Sequence, residues 1–468
     1  MDLQSLYDQA VAAHRQGRLE EADRLYGQLL AAQPGNPHVR HPLGVLRAQQ
    51  GRAPEALALL EGVVAETPPD AGLLKDYAMV LAGAGRTQDA LAAFDRALAL
   101  KSGDLELTQL RVEALLRLKR HAEALAATDA ALAFRPNTAI LMHQRGLALA
   151  GLDCLADAEA CFACVLQLKP DFEAALYERG TMLARQGRIA DWFASFQEFA
   201  QRWDGTGAWS SAKDMAHKAR HDAEQQAWQQ VQGITPTSNL HIEGGERLNG
   251  PAINPVNARE ATHAWNSNDP QVVIVDNLLT DDALAALRRF CMGSNIWRTG
   301  YDSGYLGAFP EHGFSVPLLA QIAEEFQAVF PDICGGLPLK YIWAFKYDSA
   351  MGEGVHIHGD DAAVNINFWI TPDEANTDSE SGGLLVWDVA APLSWDFTKF
   401  NNNQPAIIDF LEKNGAKSIK VPYRGNRAAI FDSDLFHKTD AIHFQDGYEN
   451  RRINVTLLYG ERDPAKRG

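Results

Sequence analysis

The spacing of apolar and turn-forming residues divides the chain into two regions. Up to about residue 204, apolar residues follow helical spacing and a turn position returns every 34 residues. Six successive units have this turn position, at Gly17, Gly51, Gly85, Lys119, Asp153 and Gly187. The position five residues later holds a small side chain that lets two antiparallel helices approach closely, at Ala22, Ala56, Ala90, Ala124 and Ala158. The pattern predicts six helical hairpins.

Prolines and aromatic residues keep the same phase. The second helix of a hairpin should end at Pro34, Pro68, Pro136 and Pro170, because proline lacks the amide hydrogen that continues a helix. One further position is aromatic in four units and is expected to fill the groove between neighbouring hairpins, at Tyr26, Phe94, Phe162 and Phe196. These features therefore mark both the ends of the hairpins and their packing surface.

Together these positions resemble the tetratricopeptide repeat (TPR) family over residues 1–204. The resemblance implies an all-α TPR solenoid whose concave face binds a protein or peptide partner. The sixth unit departs at Trp192 and Asp204, where Ala and Pro are expected, as a terminal repeat that caps the stack should. Residues 205–268 are expected to hold a capping helix from Ser210 to Gln232, which closes the solenoid, and a linker near 244–255.

Beyond residue 268 the hydrophobic pattern changes to short β-branched and aromatic runs between turn residues. These runs predict strands at 271–275, 341–347, 364–370, 383–387, 428–431 and 453–459. Helices are expected at 281–289 and 317–329. We therefore predict an all-β domain over residues 269–468 with a few flanking helices.

Two of the predicted strands have one polar face. Asn365, Asn367 and Trp369 alternate with apolar residues in the strand 364–370. Arg452, which directly precedes the strand 453–459, and Asn454 and Thr456 within that strand also alternate with apolar residues. Such a face is often only solvated, but beside a His/Asp cluster it suggests a barrel lined with polar groups for a ligand.

The His/Asp cluster consists of His358, Asp360 and His437. The first two side chains project from one side of an extended chain, so both can converge on one cation, and His437 follows 79 residues after His358. Two neutral imidazoles and a carboxylate on one octahedral face bind Fe(II) and leave three positions open for other ligands. The cluster therefore predicts a metal site at which chemistry can occur.

Two other histidines offer alternative ligand sets. His356 could pair with His358, as in cupin metal sites, but alanines occupy the following positions where a glutamate would be expected. His443 could replace His437, but it lacks the preceding Phe431-x-Ser433 phrase. We prefer the set with His437.

These motifs resemble the Fe(II)- and 2-oxoglutarate-dependent dioxygenases over residues 270–460. The resemblance rests on His358-x-Asp360, on the phrase Phe431-x-Ser433-x-x-x-His437 and on an arginine after the distal histidine. It implies a double-stranded β-helix, or jelly roll, with Fe(II) held by His358, Asp360 and His437 and with 2-oxoglutarate as cosubstrate. Because halogenating relatives lack the carboxylate that Asp360 supplies, the resemblance favours hydroxylation.

In that family a basic residue shortly after the last histidine pairs with the far carboxylate of 2-oxoglutarate, and guanidinium suits this because it binds a carboxylate through two hydrogen bonds. Arg451 and Arg452 are both candidates. We prefer Arg452, which shares its strand face with Asn454. Tyr347 and Asn367 are further cosubstrate-binding candidates by analogy. The long segment 388–423 is either a lid or a surface insertion.

Composition and charge limit the kinds of partner and the cellular compartment that we expect. A formal net charge of -17 disfavours binding to nucleic acid, which usually requires a basic surface. The five cysteines are too few and too scattered for a disulfide framework, and Cys161-x-x-Cys164 falls within a predicted helix, where small residues favour packing. We expect a cytoplasmic protein without a membrane segment.

The sequence thus predicts a 2-oxoglutarate-dependent hydroxylase whose repeat array recruits a protein partner or substrate. The alternative is a non-catalytic TPR scaffold in which a degenerate jelly roll serves only for binding or sensing. The three metal ligands and the candidate arginine favour the enzyme, whereas the substrate and the carbon oxidised stay open.

Overall fold

The computed structural model describes residues 2–203, 215–348 and 354–462, and its contacts divide the chain into two units, Met1–Ala175 and Leu176–Gly468. Asp204, and the start of the predicted capping helix from Ser210, lie outside the described residues. The predicted domain boundary at residue 204 therefore comes one hairpin later than the division between the two units.

The first unit contains ten helices that pair as five antiparallel hairpins. They are α1 (Leu3–Arg15), α2 (Leu19–Ala32), α3 (Pro37–Gln49), α4 (Ala53–Glu66), α5 (Ala71–Gly83), α6 (Thr87–Leu100), α7 (Leu105–Arg117), α8 (His121–Phe134), α9 (Ala139–Gly151) and α10 (Leu155–Leu168). Equivalent helices begin 34 residues apart, as predicted. The two helices of the sixth predicted hairpin follow in the same phase, as α11 (Glu173–Arg185) and α12 (Ile189–Trp203).

The turn position of the repeat has left-handed backbone in all six hairpins, with φ between 57° at Lys119 and 79° at Gly85. In each turn the next amide donates to a carbonyl of the preceding helix, as Arg18 N does to Ala13 O at 2.9 Å. Glycine adopts this conformation without steric cost, whereas lysine and aspartate do so with strain. The recurrence of glycine at this position thus has a direct backbone cause.

The small and aromatic repeat positions pack as the sequence predicts. The five alanines of the second helices are fully buried, as are the aromatic rings of Tyr26, Phe94 and Phe162. Phe162 lies directly over Gly146 on the preceding helix, where an added Cβ would come within 2.6 Å of the ring. Cys161 is buried beside this ring and Cys164 is exposed. Small residues on one helix therefore accommodate large ones on the next.

The second unit begins with the last hairpin, whose apolar residues belong to the core of that unit. Trp192, Phe193 and Phe196 of α12 join a hydrophobic cluster that extends through the β-rich region. Helix α12 contacts α16 (Pro317–Val329) and the 3-10 turn Pro310–His312. This packing explains why the sixth hairpin carries Trp192 in place of the alanine found in the other five.

The helix predicted to close the solenoid packs elsewhere. Helix α13 (Ala216–Val231) contacts α15 (Asp281–Gly293), and its buried Gln225 and Gln229 donate to the carbonyls of Ser294 and Gly293 at 2.8 and 2.6 Å. These polar side chains thus provide hydrogen bonds to the free carbonyl groups at the C-terminal end of α15. The interpretation of α13 as the end of the solenoid does not agree with these contacts.

The predicted linker near 244–255 is also part of the second unit. Ala252 and Ile253 are buried, and both of their amides donate to a carboxylate oxygen of Glu325, at 2.6 and 3.0 Å. A chain rich in glycine, asparagine and proline can pack when side chains satisfy its amides. The boundary at residue 268 therefore does not mark a break in the structure.

The β-rich region contains two antiparallel sheets. Its strands are β1 (Val272–Val275), β2 (Thr299–Tyr301), β3 (Tyr305–Ala308), β4 (Leu339–Tyr347), β5 (Val364–Trp369), β6 (Leu384–Ala390), β7 (Ser418–Val421), β8 (Ala428–Asp432), β9 (Leu435–Thr439) and β10 (Ile453–Tyr459). The larger sheet has the order β1-β8-β5-β10-β4-β3-β2, and the smaller sheet has the order β7-β6-β9. The six predicted strands are confirmed; β2, β3, β7 and β9 were not predicted.

Helices cover the outer side of the larger sheet. Besides α13, α15 and α16 they include α14 (Ala258–Ser267) and α17 (Pro331–Cys334), while α18 (Gln404–Lys413) lies in the segment between β6 and β7. The apolar residues of β5 and β10 face the helices in one core cluster, as their alternation predicts. None of the described helices combines the length and hydropathy needed to cross a membrane.

Candidate metal and cosubstrate site

Backbone pairing brings two distant segments together at the site. His358 and His437 form an isolated antiparallel bridge, in which each amide donates to the other residue's carbonyl, at 3.0 and 2.9 Å. Two residues later, the amide of Asp360 donates to Ser433 O at 3.1 Å. The ligands are therefore positioned by main-chain hydrogen bonds across the smaller sheet, and not by flexible loops.

The three predicted metal ligands lie together. One ligand atom from each of His358, Asp360 and His437 lies within 4.8 Å of the others. The Nε2 atom of His358 is 3.7 Å from one carboxylate oxygen of Asp360, and that of His437 is 3.4 Å from the other. Within the described ranges, no second group of three such side chains is close enough to hold a metal ion.

The second nitrogen of each imidazole is held by a backbone carbonyl. Nδ1 of His358 lies 2.8 Å from His356 O, and Nδ1 of His437 lies 3.0 Å from Leu435 O. Because a carbonyl only accepts, each Nδ1 donates to it, and Nε2 is left as the nitrogen of each ring that faces Asp360. A neutral ring held in this way can bind a metal through Nε2.

The charges of the cluster also suit a cation. Burial, with a smaller effect from His437, lowers the pKa of His358 to about 4, which keeps its imidazole neutral at physiological pH. Burial alone would raise the pKa of Asp360, but hydrogen bonding to His437 and the nearby His358 hold it below its ordinary value. Asn365 donates to Asp360 at 2.7 Å and fixes the carboxylate.

The two alternative histidines take other places. His356 lies in the wall of a cleft outside the cluster, and its carbonyl orients His358. His443 accepts at its carbonyl from the amide of Thr377 at 2.7 Å and is not part of the ligand group. The geometry thus favours the set that contains His437.

Beside the three ligands lies a small inner chamber. Its polar lining comes from neighbouring strands of both sheets, and Trp343, Phe345, Val355 and Leu384 supply its apolar lining. The polar residues, besides His358, Asp360 and His437, are Tyr347, Asn367, Thr439, Arg452, Asn454 and Thr456. All four predicted cosubstrate-binding residues are therefore in one chamber with the metal ligands.

Arg452 lies at the inner end of this chamber and is only 1% exposed. Its guanidinium donates to the carbonyls of Gly382 and Gly383, at 2.6 and 3.3 Å, and to Asn454 at 3.1 Å. The ring of Tyr347 lies 4.6 Å from its central carbon. Burial lowers its pKa, and no described carboxylate forms an ion pair with it. It is a buried cation without an ion-pair partner among the described residues, although the charge of Asp440 offsets a little of the effect of burial on its pKa.

Arg451 points away from the chamber. Its guanidinium pairs with Glu224 of α13 at 2.9 Å and with Asp348 at 3.5 Å. Both partners lie outside the residues that line the chamber. The alternation of β10 therefore assigns the two adjacent arginines to opposite sides of the sheet.

The amide groups of the chamber are only partly satisfied. Asn367 donates to Thr456 at 3.0 Å, while its carbonyl oxygen is buried without a hydrogen-bond partner among the described residues. The hydroxyl of Tyr347 lies 3.3 Å from that of Thr439. Unsatisfied buried polar atoms are costly in a folded protein and suggest a missing ligand. Sequence reasoning missed Thr439, and it placed Asn365 on a polar strand face without predicting a role for it at the site.

A larger cleft of about 1080 Å³ opens onto the metal ligands, and His358 and Asp360 line both spaces. The segment 388–423 forms part of its wall through Phe397, Asn401 and Gln404. This segment is anchored, because Gly359 N donates to Phe400 O and Asn401 donates to Gly359 O, both at 3.0 Å. It thus lines the cleft and braces the backbone between His358 and Asp360.

Comparisons with known proteins bear on the helical region. Two models of the tetratricopeptide repeat family match residues 13–75 and 77–139, so TPR repeats are present there. A search of curated proteins found no match.

Several solved structures resemble part of the chain. YrrB, described as a TPR protein with an unusual peptide-binding site, is 20% identical with a TM-score of 0.35, and the match covers 38% of this chain and 92% of that one. MamA from Desulfovibrio magneticus RS-1 is 22% identical with a TM-score of 0.33, covering 35% and 92%. A tetratricopeptide repeat protein from Parabacteroides merdae is 14% identical with a TM-score of 0.39, covering 50% and 94%.

Proposed function

We propose that this protein is an Fe(II)- and 2-oxoglutarate-dependent hydroxylase whose TPR repeats recruit a protein or peptide partner. The observation that carries the proposal is the juxtaposition of His358, Asp360 and His437 with the buried guanidinium of Arg452, which has no ion-pair partner among the described residues, in one chamber. The three ligands suit a metal, and the guanidinium suits a carboxylate.

The order of the strands supports a jelly roll for this region. From β4 onward, the larger sheet receives β4, β5, β8 and β10, and the smaller sheet receives the bridge residue His358, then β6, β7 and β9. The chain thus passes repeatedly between two antiparallel sheets, as in a jelly roll. The ligands lie between the two sheets, where this fold encloses its sites.

Each group of the chamber has a distinct part in the proposed reaction. Bound Fe(II) would supply the chemistry that activates O₂. His358, Asp360 and His437 would hold the metal on one face, and Arg452 with Asn454 would bind the far carboxylate of 2-oxoglutarate. Tyr347 and Asn367 would complete the cosubstrate's contacts, and the surrounding aromatic residues would exclude water. The balanced reaction is R–H + O₂ + 2-oxoglutarate → R–OH + succinate + CO₂.

The TPR repeats are a protein-interaction scaffold, because stacked hairpins present a continuous concave surface. We infer that they bind the substrate protein or a partner that delivers it. The competing hypothesis is a non-catalytic TPR scaffold with a binding or sensing module in place of an enzyme. The grouping of His358, Asp360 and His437 and the unpaired Arg452 favour the enzyme, since a module that had lost turnover would have no need to keep both.

An anaerobic titration tests the proposal. Fe(II) is added to the full-length protein with 2-oxoglutarate, and the weak visible charge-transfer band of the chelate is recorded before and after O₂. The wild type should develop the band and then release succinate, whereas His437→Ala should do neither and the control His443→Ala should behave like the wild type. Absence of the band in the wild type contradicts the proposal; a band without succinate, even with substrate candidates, supports the scaffold.

A further inference from the structure

The cleft that leads to the metal ligands has an unusual composition, and we call it the aromatic-acidic cleft. Its volume of about 1080 Å³ exceeds what a small cosubstrate needs. It is lined by α11 and α12, by β3 and β4, by the 3-10 turn Pro310–His312 and by the segment that contains α18. A space of this size can admit a side chain together with part of the backbone that carries it.

Aromatic rings form much of its surface. Tyr301 and Tyr305 stack with centroids 4.4 Å apart, and Phe345 packs edge-on against Tyr305 at 5.0 Å. Phe309 extends this group toward the 3-10 turn, with its ring 6.3 Å from that of Phe345. The faces and edges of such rings accept the methylene chain of a long side chain, and ring faces attract a cation.

Two carboxylates stand among these rings. Glu178 of α11 and Glu311 of the 3-10 turn both line the cleft, and burial raises the pKa of each. Among the described residues, no cation contributes to the pKa of either group. Both influence the same neighbour, because Glu311 and Glu178 add to the effect of burial in raising the pKa of Tyr177. The two carboxylates therefore share one region of the cleft.

The lysine of the cleft does not balance this charge. Lys340 is already paired with Asp361 at 3.0 Å and with Glu461 at 2.9 Å. Two carboxylates in a partly buried, aromatic setting are costly to keep ionised unless a cation joins them. The cleft is thus complementary to a positive group.

A separate polar atom points to a second contact. Trp192 lines the cleft and is 5% exposed, and its indole N–H has no acceptor among the described residues. An indole N–H can only donate. A hydrogen-bond acceptor at this wall of the cleft, such as a carbonyl or carboxylate oxygen, would complete it.

We propose that the aromatic-acidic cleft binds an aliphatic side chain that ends in an ammonium or guanidinium group, with Glu178 and Glu311 as its anionic partners. This inference rests on the proposed function, because the cleft is a substrate site only if a metal held by His358, Asp360 and His437 acts on the bound side chain. A neutral chain would leave both carboxylates without a partner, and an acidic one would be repelled by them. Lysine and arginine side chains, in a peptide or as free amino acids, have this chemistry.

Calorimetric binding to the full-length, metal-free protein tests the inference without turnover. The probes are blocked pentapeptides with four alanines around a central lysine, arginine, norleucine or glutamate, together with free lysine and free arginine. A cationic probe should bind about tenfold more tightly than the norleucine peptide, since a hydrogen bond to a charged partner is worth that factor or more. Tighter binding of a peptide or of a free amino acid identifies the source of the side chain.

Substitutions in the cleft provide the matched test. The double variant Glu178→Gln with Glu311→Gln should lose the preference for the cationic probe, while Glu173→Gln, which removes an exposed carboxylate from the same helix α11, should keep it. Equal binding of the lysine and norleucine peptides, or a preference that survives the double substitution, overturns the inference.

The two proposals fail separately. If the wild type forms the Fe(II)–2-oxoglutarate band but shows no preference for a cationic probe, only the substrate inference is lost. If it prefers the cationic probe but never forms the band, the cation site stands and the oxygenase does not. When both hold, the cationic peptide should raise succinate release and gain one oxygen atom by mass.

Discussion

The helical hairpins of the first unit and the chamber between the two sheets differ in how residues meet. In the hairpins, each buried residue contacts neighbours within one repeat or the next, and the same contacts recur every 34 residues, as between Phe162 and Gly146. In the chamber, the cluster forms only when His358 meets His437, 79 residues away along the chain. A repeat array therefore tolerates local variation, whereas the chamber depends on single residues that have no counterpart.

The largest effect that we expect is a loss of stability when a packed side chain of the hairpins is removed. Phe162→Ala should lower the free energy of unfolding by about 3–5 kcal/mol, because the ring is fully buried over Gly146 and its loss leaves a cavity. Denaturant titration followed by circular dichroism measures the change. Phe134→Ala, which removes a ring that is 87% exposed, should change stability by less than about 0.5 kcal/mol. Similar losses for both variants would contradict the packing described here.

The adjacent arginines give the sharpest contrast in the chamber. Arg452→Met should raise the dissociation constant for 2-oxoglutarate about 30-fold or more, because a buried carboxylate would lose its ion pair. Arg451→Met should change that constant by less than about threefold, since Arg451 pairs with Glu224 and Asp348 outside the chamber. The charge-transfer band in an anaerobic titration reports both constants, and the opposite order would reverse the assignment.

A change at Asn365, the hydrogen-bond partner of the candidate metal ligand Asp360, should weaken the binding of Fe(II). Asn365→Ala removes the amide that donates to Asp360 at 2.7 Å, and the affinity for Fe(II) should fall about 10- to 100-fold. Asn376→Ala is the matched control, because its amide donates to Ser381 O at 3.2 Å, away from the ligands. Fe(II) titration without 2-oxoglutarate measures the two affinities. Unchanged affinity in Asn365→Ala would mean that Asp360 needs no such support.

The buried Lys346 of β4, the residue next to Tyr347 of the chamber, predicts an effect of pH on stability. Burial, helped by Arg451, lowers the pKa of Lys346 well below its ordinary value, and its ammonium lies 3.6 Å from the ring centre of Tyr448. Between the lowered pKa and the ordinary one, the unfolded chain binds more protons, so stability should rise with pH and the penalty should vanish above about pH 10.4.

Lys346→Met should remove that rise and stabilise the protein at neutral pH by about 1 kcal/mol or more, because methionine fills the same site without burying a charge. Chemical denaturation at several pH values between neutral and about 10 tests both points. Lys420→Met is the control, because Lys420 is largely exposed and pairs with Asp440 at 3.2 Å. A wild type whose stability does not rise with pH would contradict the expectation.

The smallest effects concern the left-handed turn position of the repeats. Lys119→Gly should stabilise the protein and Gly85→Ala should destabilise it, each by about 1 kcal/mol, because φ is 57° and 79° at these positions. Thermal unfolding of both variants checks the opposite signs. A gain from Gly85→Ala would mean that the left-handed backbone is not required there.

Local pattern was enough to predict most elements of the fold. The hairpin helices and the helices α15 and α16 follow from apolar spacing, capping residues and proline. The undetected strands β2, β3, β7 and β9 have three to five residues each, and they lack the continuous apolar run that made the equally short β1 detectable. The packing of α13 and of the segment 244–255 could not be predicted either, since it depends on hydrogen bonds to residues dozens of positions away, such as Glu325.

The sequence by itself determined the period of the repeat, the polar faces of β5 and β10 and, through alternation, the opposite faces of the two arginines, because each of these is a pattern along the chain; the candidate ligands came from a family resemblance. Only the tertiary structure decided how His358 and His437 meet, where the last hairpin packs and which walls enclose the cleft. Glu178 and Glu311 are ordinary glutamates in the sequence. They become a candidate cation site only because packing within the second unit places both beside aromatic side chains in one cleft, where no described cation contributes to the pKa of either.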